Sequence, residues 1–379
     1  MLPSQRALFD IPEEVAYFNC AYMAPLPRPV RRAGEVAVAR KSQPWTLGSD
    51  DFFDELEHLR ALAGRLIGAT PEDIAFVPSV SYGAALAAQN LRVRAGDDIL
   101  VLEEQFPSNV YAWQELASRA AATLRIVPRP ADHDWTRALC ASVSERTAFA
   151  ALPHCHWVDG HLLDLERVAE ALRSVGAGLV IDATQSLGAL PLDVERIRPD
   201  FVLAATYKWL LGPYGMTLLY ASPAHHEGRP LEHNWMAREG AEDFRRLSEY
   251  RSGFREGARR FDMGEAANFI LMPMVAEALK LLLEWNPAAI QATLRAKTER
   301  LAHACEALGL LPLPAEQRAG HLLGLRAPKG LPGGLAESLR AAGVHVSVRG
   351  DCIRISPHLY NDAGDEARLL AALEALCSP

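Results

Sequence analysis

Residues 179–220 decide the fold, and they read LVIDATQSLGALPLDVERIRPDFVLAATYKWLLGPYGMTLLY. Two short apolar runs, residues 179–181 and 201–205, each stop at polar residues. Apolar runs of this length are typical of buried strands in a parallel sheet. Asp182 follows the first run directly, and Lys208 lies three residues beyond the second. Because ligands of open α/β sheets lie beyond the carboxyl ends of the strands, both side chains are placed where chemistry is expected.

The pair formed by Asp182 and Lys208 suits one cofactor, pyridoxal phosphate. This cofactor needs a lysine for its Schiff base and an acid that keeps its pyridine nitrogen protonated. Taken alone, an Asp after a strand is often a helix cap, and a Lys is usually a solvated surface charge. Lys208 is embedded among Tyr207, Trp209 and Leu210, however, and a surface lysine does not need that setting. The sequence therefore favours a cofactor site over the two structural explanations.

Length, composition and charge bound the class of protein. The 379 residues are long for one core and predict one large and one smaller domain. A net charge of -8 without a basic run argues against a nucleic-acid binder. The apolar stretches are too short to span a bilayer, and the N-terminus contains no apolar signal core. We therefore expect a cytoplasmic protein with neither a membrane nor a nucleic acid as partner.

The cysteines and histidines do not predict a metal site. The six cysteines lack the spacing of metal ligands and are typical of reduced cytosolic thiols. His154, Cys155 and His156 are consecutive, but adjacent residues on a strand point to opposite faces. We therefore expect no bound metal.

Strand and helix patterns alternate through the first 220 residues. This alternation predicts an α/β fold with a mostly parallel sheet covered by helices. Besides the two apolar runs, strands are predicted at residues 74–77, 98–102 and 147–152. Helices are predicted at residues 30–40, 51–67, 79–90 and 165–175, with another that ends at residue 121. Neither GxGxxG nor GxxxxGK[ST] occurs, so a dinucleotide or nucleoside-triphosphate site loses its main support.

Beyond residue 220 the pattern changes. Residues 232–236 and 257–265 are polar and irregular, which is typical of functional or interface loops. A helix at residues 273–285 is then expected to lead into a small α+β domain with helices at 288–308, 335–342 and 365–376 and strands at 321–325, 345–348 and 352–356. The predicted division is an N-terminal segment (1–20) that joins the small domain, a large cofactor domain (21–272), and a linking helix with the small domain (273–379).

Two further candidate contacts follow predicted strands. Residues 79–83 open a helix directly after a strand, and small hydroxyl residues there expose backbone N–H groups to an anion. Plain helix capping is the alternative explanation. Phe106 lies just past another strand end, where an aromatic ring can lie on a flat cofactor, and a core phenylalanine is the alternative.

Together these motifs resemble the class V aminotransferase superfamily of fold type I pyridoxal-phosphate enzymes. That group includes cysteine desulfurases, selenocysteine lyase, kynureninase and isopenicillin N epimerase, and the resemblance covers nearly the whole chain. Asp182 and Gln185 look like the family's Asp-x-x-Gln, in which the Asp pairs with the pyridine nitrogen and the Gln approaches the ring's 3-hydroxyl. Tyr207 and Lys208 look like its Schiff-base motif. The implied cofactor is pyridoxal 5'-phosphate.

The resemblance implies further cofactor contacts. Val80 and Ser81 stand where relatives often carry two hydroxyl residues for the phosphate, so Val80 can contribute only its backbone. Phe106, with the Pro and Ser that follow it, is similar to kynureninase, where a Phe stacks on the ring, whereas desulfurases carry His. His156 stands where relatives usually carry Asn near the cofactor.

The resemblance also implies substrate and partner contacts. Arg354 matches the arginine that grips the substrate carboxylate, and a guanidinium fork suits that group. Asn19 and Tyr22, in the proline-rich N-terminal stretch, are expected to contact the substrate as well. Gly264 and Glu265 match a segment that reaches the phosphate of the partner subunit, which implies a homodimer with shared active sites.

The expected reaction starts when the amine of an α-amino acid displaces Lys208 and forms an external aldimine. Asp182 keeps the ring protonated while it accepts the electrons of Cα in a quinonoid. Lys208 is the natural base, because burial and a nearby cation lower its pKa. Beta-elimination, transamination and racemisation all continue from this point.

The mobile loop with a nucleophilic cysteine that desulfurases carry is missing. Residues 343–353 are too short for that loop, and Cys352 lies two residues from Arg354 on a predicted strand. Phe106 and Tyr207 are similar to residues of kynureninase and therefore favour a lyase. We therefore expect a lyase without a persulfide cysteine, with an aminotransferase or an amino-acid racemase or epimerase as the alternative.

Two functions from other classes remain. An oxidoreductase on a Rossmann-like sheet is disfavoured by the missing glycine fingerprint. A cofactor-binding protein without turnover is disfavoured because Asp182, Lys208 and Arg354 are all present.

Overall fold

The structure is a computed structural model, and it describes residues 1–377. Its strands are β1 (Ala16–Tyr17), β2 (Ile74–Val77), β3 (Asp98–Leu102), β4 (Thr123–Val127), β5 (Thr147–Pro153), β6 (Gly178–Asp182), β7 (Phe201–Ala205), β8 (Thr217–Ala221), β9 (Leu311–Pro312), β10 (Leu323–Arg326), β11 (Val344–His345), β12 (Ser347–Arg349) and β13 (Cys352–Ile355). Its α-helices are α1 (Arg28–Lys41), α2 (Asp54–Ile67), α3 (Val80–Asn90), α4 (Tyr111–Ala120), α5 (Trp135–Ser142), α6 (Leu165–Ser174), α7 (Val194–Ile197), α8 (Leu271–Trp285), α9 (Pro287–Glu306), α10 (Leu335–Ala341) and α11 (Ala363–Cys377).

A seven-stranded sheet, with the strand order β2-β8-β7-β6-β5-β3-β4, forms the large part of the molecule. The neighbours from β7 to β4 run parallel, whereas β8 is antiparallel to both β7 and β2. This arrangement confirms the predicted α/β fold with a mostly parallel sheet. The sequence patterns did not predict β4, because it is an edge strand whose side chains are mostly exposed and form no apolar run.

The two faces of this sheet pack against separate hydrophobic clusters. Ile99 and Val101 of β3 belong to one cluster, and Leu100 and Leu102 belong to the other. Successive side chains of a strand point to opposite faces, so a strand that is covered on both sides is apolar at every position. That double burial explains why short uninterrupted apolar runs were the correct signal for these strands.

The C-terminal part forms a smaller antiparallel sheet, with the strand order β12-β13-β10-β9. The N-terminal segment joins it, because β1 pairs in parallel with β11. Ala16 and Phe18 lie in the same hydrophobic cluster as Ile353 and Leu373. The division of the chain at residues 20 and 272 stays a prediction. In the part of the chain that the structure describes, no helix combines the length and the apolar content needed to cross a membrane.

Three connections of the large sheet start at the same edge. Strands β6 and β7 are parallel neighbours, and β6 ends at Asp182 while Lys208 follows the end of β7. Strand β2 runs in the same direction, because β8 is antiparallel to both β2 and β7. The N-terminus of α3, just after β2, therefore meets Asp182 and Lys208 at the carboxyl edge of the sheet.

Candidate active site

A cavity of about 210 Å³ opens at this carboxyl edge. It brings together seven of the residues that the sequence predicts as cofactor contacts: Val80, Ser81, Phe106, Asp182, Gln185, Tyr207 and Lys208. These side chains come from four separate connections of the sheet, so the fold rather than the local sequence places them around one space. That convergence is the arrangement expected for a ligand site in an open α/β sheet.

Lys208 is almost completely buried, with 7% of its surface exposed. Its Nζ lies 5.5 Å from the centroid of the Phe106 ring and 5.4 Å from that of the Tyr207 ring. Burial lowers the pKa of Lys208 to about 8, the negative charge of Asp182 opposes this shift, and the positive charge of Arg354 adds to it. At pH 7 roughly a tenth of this amine is therefore unprotonated and able to act as a nucleophile or base, far more than at the ordinary lysine pKa.

Asp182 is the last residue of β6 and is also buried. Its Oδ1 accepts a hydrogen bond from the Thr184 N–H at 3.0 Å. Burial raises the pKa of the Asp182 carboxyl, whereas the bonds from Thr184 and the charge of Lys208 oppose the increase. Thr184 Oγ1 in turn accepts the Ala205 N–H at 3.2 Å, which ties the end of β6 to the end of β7.

The side chain of Gln185 donates one hydrogen bond and accepts another. Its Nε2 donates to the Ala21 carbonyl at 3.0 Å, and its Oε1 accepts from Trp209 Nε1 at 2.9 Å. The ring nitrogen Nε2 of His321 lies 2.6 Å from the Gln185 carbonyl oxygen. Because an amide nitrogen carries two N–H groups, one remains available to a ligand in the cavity. No sequence pattern indicated that Trp209 orients this amide.

The N-terminus of α3 forms one wall of the cavity. Ser79 caps this helix, because its Oγ accepts the Tyr82 N–H at 3.2 Å, and it also lies 2.9 Å from Ser81 Oγ. Helix capping and an anion site are thus compatible at this position, since the first backbone N–H groups of a helix have no partner within it. Ser79 lines the cavity together with Val80 and Ser81. The predicted cofactor contacts did not include Ser79. The serines at the start of the helix are the sequence feature that could have identified it.

Aromatic rings cover the rest of the cavity. Phe106 is 38% exposed and is therefore a surface of the cavity rather than a core side chain. Its ring is nearly perpendicular to the Trp157 ring, at a centroid distance of 5.4 Å. The rings of Tyr207 and Tyr214 lie 4.6 Å apart. Sequence reasoning missed Trp157 and Tyr214 as lining residues, although both follow strand or motif ends at this edge.

His156 does not line the cavity, although its neighbours Cys155 and Trp157 do. Its ring is buried and stacks on Trp135 at a centroid distance of 6.1 Å. Its Nδ1 lies 3.5 Å from a carboxylate oxygen of Asp159. The geometry therefore gives the predicted cofactor contact of His156 no support, because the side chain points into the packing behind the site.

Arg354 is buried, with 2% of its surface exposed, and lies just behind the cavity wall. Its Nη1 donates to the Trp157 carbonyl at 2.7 Å, and its Nε has no partner. No carboxylate in residues 1–377 approaches its guanidinium within 4.0 Å. Burial, together with the positive charge of Arg349, lowers the pKa of Arg354 to about 10. A buried cation without an acidic partner is a candidate receptor for an anionic ligand.

Asn19 and Tyr22 line a second cavity, of about 530 Å³, and not the one that contains Lys208. Arg349 and Ser347 line this second cavity too. Asn19 Oδ1 accepts a hydrogen bond from Ser347 Oγ at 2.7 Å. The predicted substrate contacts of Asn19 and Tyr22 therefore stay predictions, and the structure places both residues beside the strand that carries Arg349.

Gly264 and Glu265 do not reach the Lys208 cavity of their own chain. The Gly264 N–H donates to a carboxylate oxygen of Glu232, and Glu265 is exposed. Their contact with the phosphate of a partner subunit stays a prediction. No group of three or more His, Cys, Asp or Glu residues within 1–377 is arranged to hold a metal ion.

The family model described as Aminotransferase class-V matches residues 39–365. The chain belongs to the class V aminotransferase family. It is 27% identical to the uncharacterized aminotransferase YcbU of Bacillus subtilis, with 95% of this chain and 94% of that one covered. It is 28% identical to the isopenicillin N epimerase of Streptomyces clavuligerus, with 84% of this chain and 83% of that one covered.

Solved structures of low sequence identity share the fold of this class V protein. A mutant of the lyase C-DES, with glycine linked to its pyridoxal-phosphate cofactor, superposes with a TM-score of 0.89 at 21% identity over 98% of this chain and 99% of that one. The cysteine desulfurase of Thermococcus onnurineus superposes with a TM-score of 0.84 at 19% identity over 100% of this chain and 99% of that one. These findings confirm the fold type I prediction.

Membership of the class V family confirms that the protein is an enzyme whose cofactor is pyridoxal 5'-phosphate. The residues of the cavity fit this group. The buried amine of Lys208 and the buried carboxyl of Asp182 supply the two functions that the cofactor requires. The capped N-terminus of α3 offers N–H and hydroxyl groups to a phosphate, and Phe106 presents a partly exposed ring to a flat heterocycle.

Three cysteines, Cys20, Cys155 and Cys352, lie near the site of this class V enzyme, and all three are buried. Burial raises the pKa of Cys20. Cys352 lies in β13 with no exposed surface, and burial raises its pKa to about 12. Burial also raises the pKa of Cys155, which lines the cavity. A cysteine nucleophile needs access and an environment that favours the thiolate, and none of the three has both.

Proposed function

We propose that this class V enzyme is a lyase that acts on an α-amino acid and releases a group from Cβ without a persulfide cysteine. The buried pair formed by Lys208 and Asp182 at one cavity supports removal of the Cα proton, and Phe106 and Tyr207 at the same cavity favour the lyase. Burial leaves the pKa of Lys208 at about 8, so one amine can accept a proton at Cα and return it to a leaving group.

When bound, pyridoxal phosphate supplies a ring that accepts the electrons released at Cα. Asp182 would hold the proton on the ring nitrogen, and Phe106 would cover one face of the ring. Lys208 Nζ would accept the Cα proton. Arg354 would bind the substrate carboxylate and thereby fix which Cα bond faces Lys208.

The burial of the cysteines near the site is the reason for proposing a reaction without a persulfide step. Cys352 and Cys155 are buried, and burial raises the pKa of each thiol. Cys352 also contacts backbone carbonyls of the large domain and of its own strand, with its Sγ 3.6 Å from the Val158 oxygen. It is therefore proposed to pack as a small apolar side chain.

An aminotransferase or an epimerase is the second candidate, and the relatives favour it. The two relatives described above cover most of the chain, and they are named as an aminotransferase and an epimerase. All three reactions use the same base and the same carboxylate receptor. They differ in what happens after the Cα proton leaves, so product analysis separates them.

The test is a screen of amino acids against the purified holoenzyme, followed by product analysis for each compound that changes the cofactor absorption. A keto acid with ammonia supports the lyase. A pyridoxamine form that a second keto acid discharges supports the aminotransferase, and exchange of the Cα proton with inversion supports the epimerase. The Cys352→Ala variant should keep turnover. Loss of turnover together with sulfur bound to wild-type Cys352 would refute the proposal.

We also propose a cytoplasmic homodimer in which Gly264 and Glu265 reach the site of the partner subunit. Exposed aromatic side chains support an interface, among them Tyr250 and Trp45. Light scattering combined with an activity assay tests the dimer, since an active monomer would contradict it. Cell fractionation tests the location, and recovery outside the cytoplasm would contradict it.

A further inference from the structure

Two guanidinium groups approach the same wall of the active site. The Cζ atoms of Arg349 and Arg354 lie 5.9 Å and 6.0 Å from the centroid of the Trp157 ring. Trp157 lines the cavity that contains Lys208, and Arg349 lines the cavity that contains Asn19. The two arginines therefore stand where the two cavities approach one another.

The small sheet places both arginines on one face. Strands β12 and β13 are antiparallel, with Ser347 opposite Arg354 and Arg349 opposite Cys352. Directly paired residues share a face, and so do residues two apart on one strand. Arg349 and Arg354 thus point together towards the large domain, where Cys352 Sγ meets the Val158 carbonyl and Arg354 meets that of Trp157.

Neither guanidinium has an acidic partner. The hydrogen bond of the Arg349 side chain goes to the Val348 carbonyl at 2.9 Å, and in residues 1–377 no carboxylate lies within 4.0 Å of it. Glu337 lines the same cavity but forms no ion pair with Arg349. The neighbouring Asp351 lies 3.6 Å from Arg326 instead.

The Lys208 amine also has more positive than negative charge around it. Arg354 and Arg349 both lower the pKa of Lys208, whereas Asp182 is the carboxylate that opposes them. The α-carboxylate of an amino acid neutralises only one of the two arginines. A second negative group on the substrate would neutralise the other, and a planar guanidinium binds a carboxylate or another oxyanion with two parallel hydrogen bonds.

We propose that Arg349 binds an anionic group on the side chain of the substrate, so that the substrate is an amino acid with an acidic side chain. Arg354 then holds the α-carboxylate. This inference rests on the proposed function for the identity of the substrate as an amino acid. The pairing of each arginine with one anion does not depend on the subsequent reaction.

Dicarboxylates without an amine test the inference, because they bind without reacting with the cofactor. Isothermal titration calorimetry of the holoenzyme would compare succinate and glutarate with their neutral partners succinamate and glutaramate. We expect at least one dicarboxylate to bind roughly tenfold more tightly than its monoamide, because a hydrogen bond to a charged group contributes that much or more. Arg349→Gln should remove this difference, and Arg349→Lys should keep part of it.

Arg368→Gln is the matched control, since it removes an exposed arginine of the same small domain that lines neither cavity. It should leave the difference unchanged. Equal binding of dicarboxylate and monoamide, no binding of either dicarboxylate, or an Arg349→Gln variant that keeps the preference would each overturn the inference.

A parallel titration with L-aspartate and L-asparagine, followed by cofactor absorption, separates the two proposals. A response to L-asparagine with no preference for L-aspartate would refute only the acidic side chain. No response to any amino acid in the wider screen would refute the proposed function, even where succinate binds selectively.

Discussion

Arg60 and Arg354 are the two most deeply buried arginines in the described chain, and their surroundings differ. Arg60, with 0% exposure, lies beneath β2 and pairs with Asp262 and Glu57, and it also donates to the Ile74 carbonyl. Arg354 donates to one carbonyl and has a free Nε. The charge of Arg60 is balanced by carboxylates of the chain itself. The charge of Arg354 is balanced only when an anion binds.

This difference separates a structural charge from a functional one. Breaking a buried ion pair leaves the partner's charge uncompensated, so Arg60 belongs to the stability of the fold. A buried arginine without a carboxylate destabilises the folded chain and stabilises a bound anion. Burial alone therefore does not identify a site residue, and the missing partner does.

The largest expected effect on stability is that of Arg60→Gln. This substitution leaves Asp262 buried without its cation, and we expect it to lower the free energy of unfolding by roughly 3–5 kcal/mol. Arg354→Gln should change it by less than about 1 kcal/mol, because the stabilising hydrogen bond from the guanidinium to a carbonyl and the destabilising unpaired buried charge are lost together. Urea denaturation of both variants measures the difference. An equal loss in the two variants would remove the basis of the comparison.

The reverse ranking is expected for ligand binding. Arg354→Gln should weaken amino-acid binding by roughly 2–5 kcal/mol while cofactor binding persists, because the substrate carboxylate loses its buried partner. Arg60→Gln, assayed where it is folded, should bind the same amino acid with unchanged affinity. The measurement is a titration of the cofactor absorption. Unchanged affinity in Arg354→Gln would show that the carboxylate binds elsewhere.

Cofactor incorporation into the apoprotein should depend on the protonation of Lys208. The reactive form is the neutral amine, and burial lowers its pKa to about 8 from the ordinary 10.5. The rate should therefore rise with pH and level off above about pH 8. Arg354→Gln should move this midpoint upwards, because it removes a positive charge that lowers the pKa of Lys208. A wild-type midpoint near 10.5, or no movement in the variant, would contradict the electrostatic link between the two regions.

The smallest expected effect is at Phe106. Replacing this partly exposed ring by leucine keeps apolar volume but removes stacking on the cofactor, so retention should weaken by roughly 1 kcal/mol. Equilibrium dialysis against pyridoxal phosphate measures this change. Tyr111→Leu is the control, since it alters an exposed aromatic residue that does not line the cavity. A loss in Tyr111→Leu as large as that in Phe106→Leu would rule out a specific stacking role.

The sequence predicted the large sheet and its cofactor edge well, for a physical reason. Strands covered on both faces are continuously apolar, so β2, β3 and β7 were predicted with the bounds they have in the structure. The polar residues that end such strands then fall at one edge, which is why Asp182 and Lys208 meet.

Features that depend on packing between distant segments were not predictable in this way. His156 follows β5 as expected, but its ring turns towards Trp135 on α5, a helix that the patterns did not reveal. The roles of Trp157 and Arg349 depend on how the small sheet sits against the large domain. No local pattern contains that information.

Reduction of the holoprotein with borohydride, followed by digestion and peptide mapping, tests the central claim most directly. Reduction fixes the cofactor to the lysine that carries it. The buried Lys208 at the end of β7, facing Asp182 across the cavity, should carry the label. Label on Lys41, Lys280, Lys297 or Lys329 instead would contradict the account.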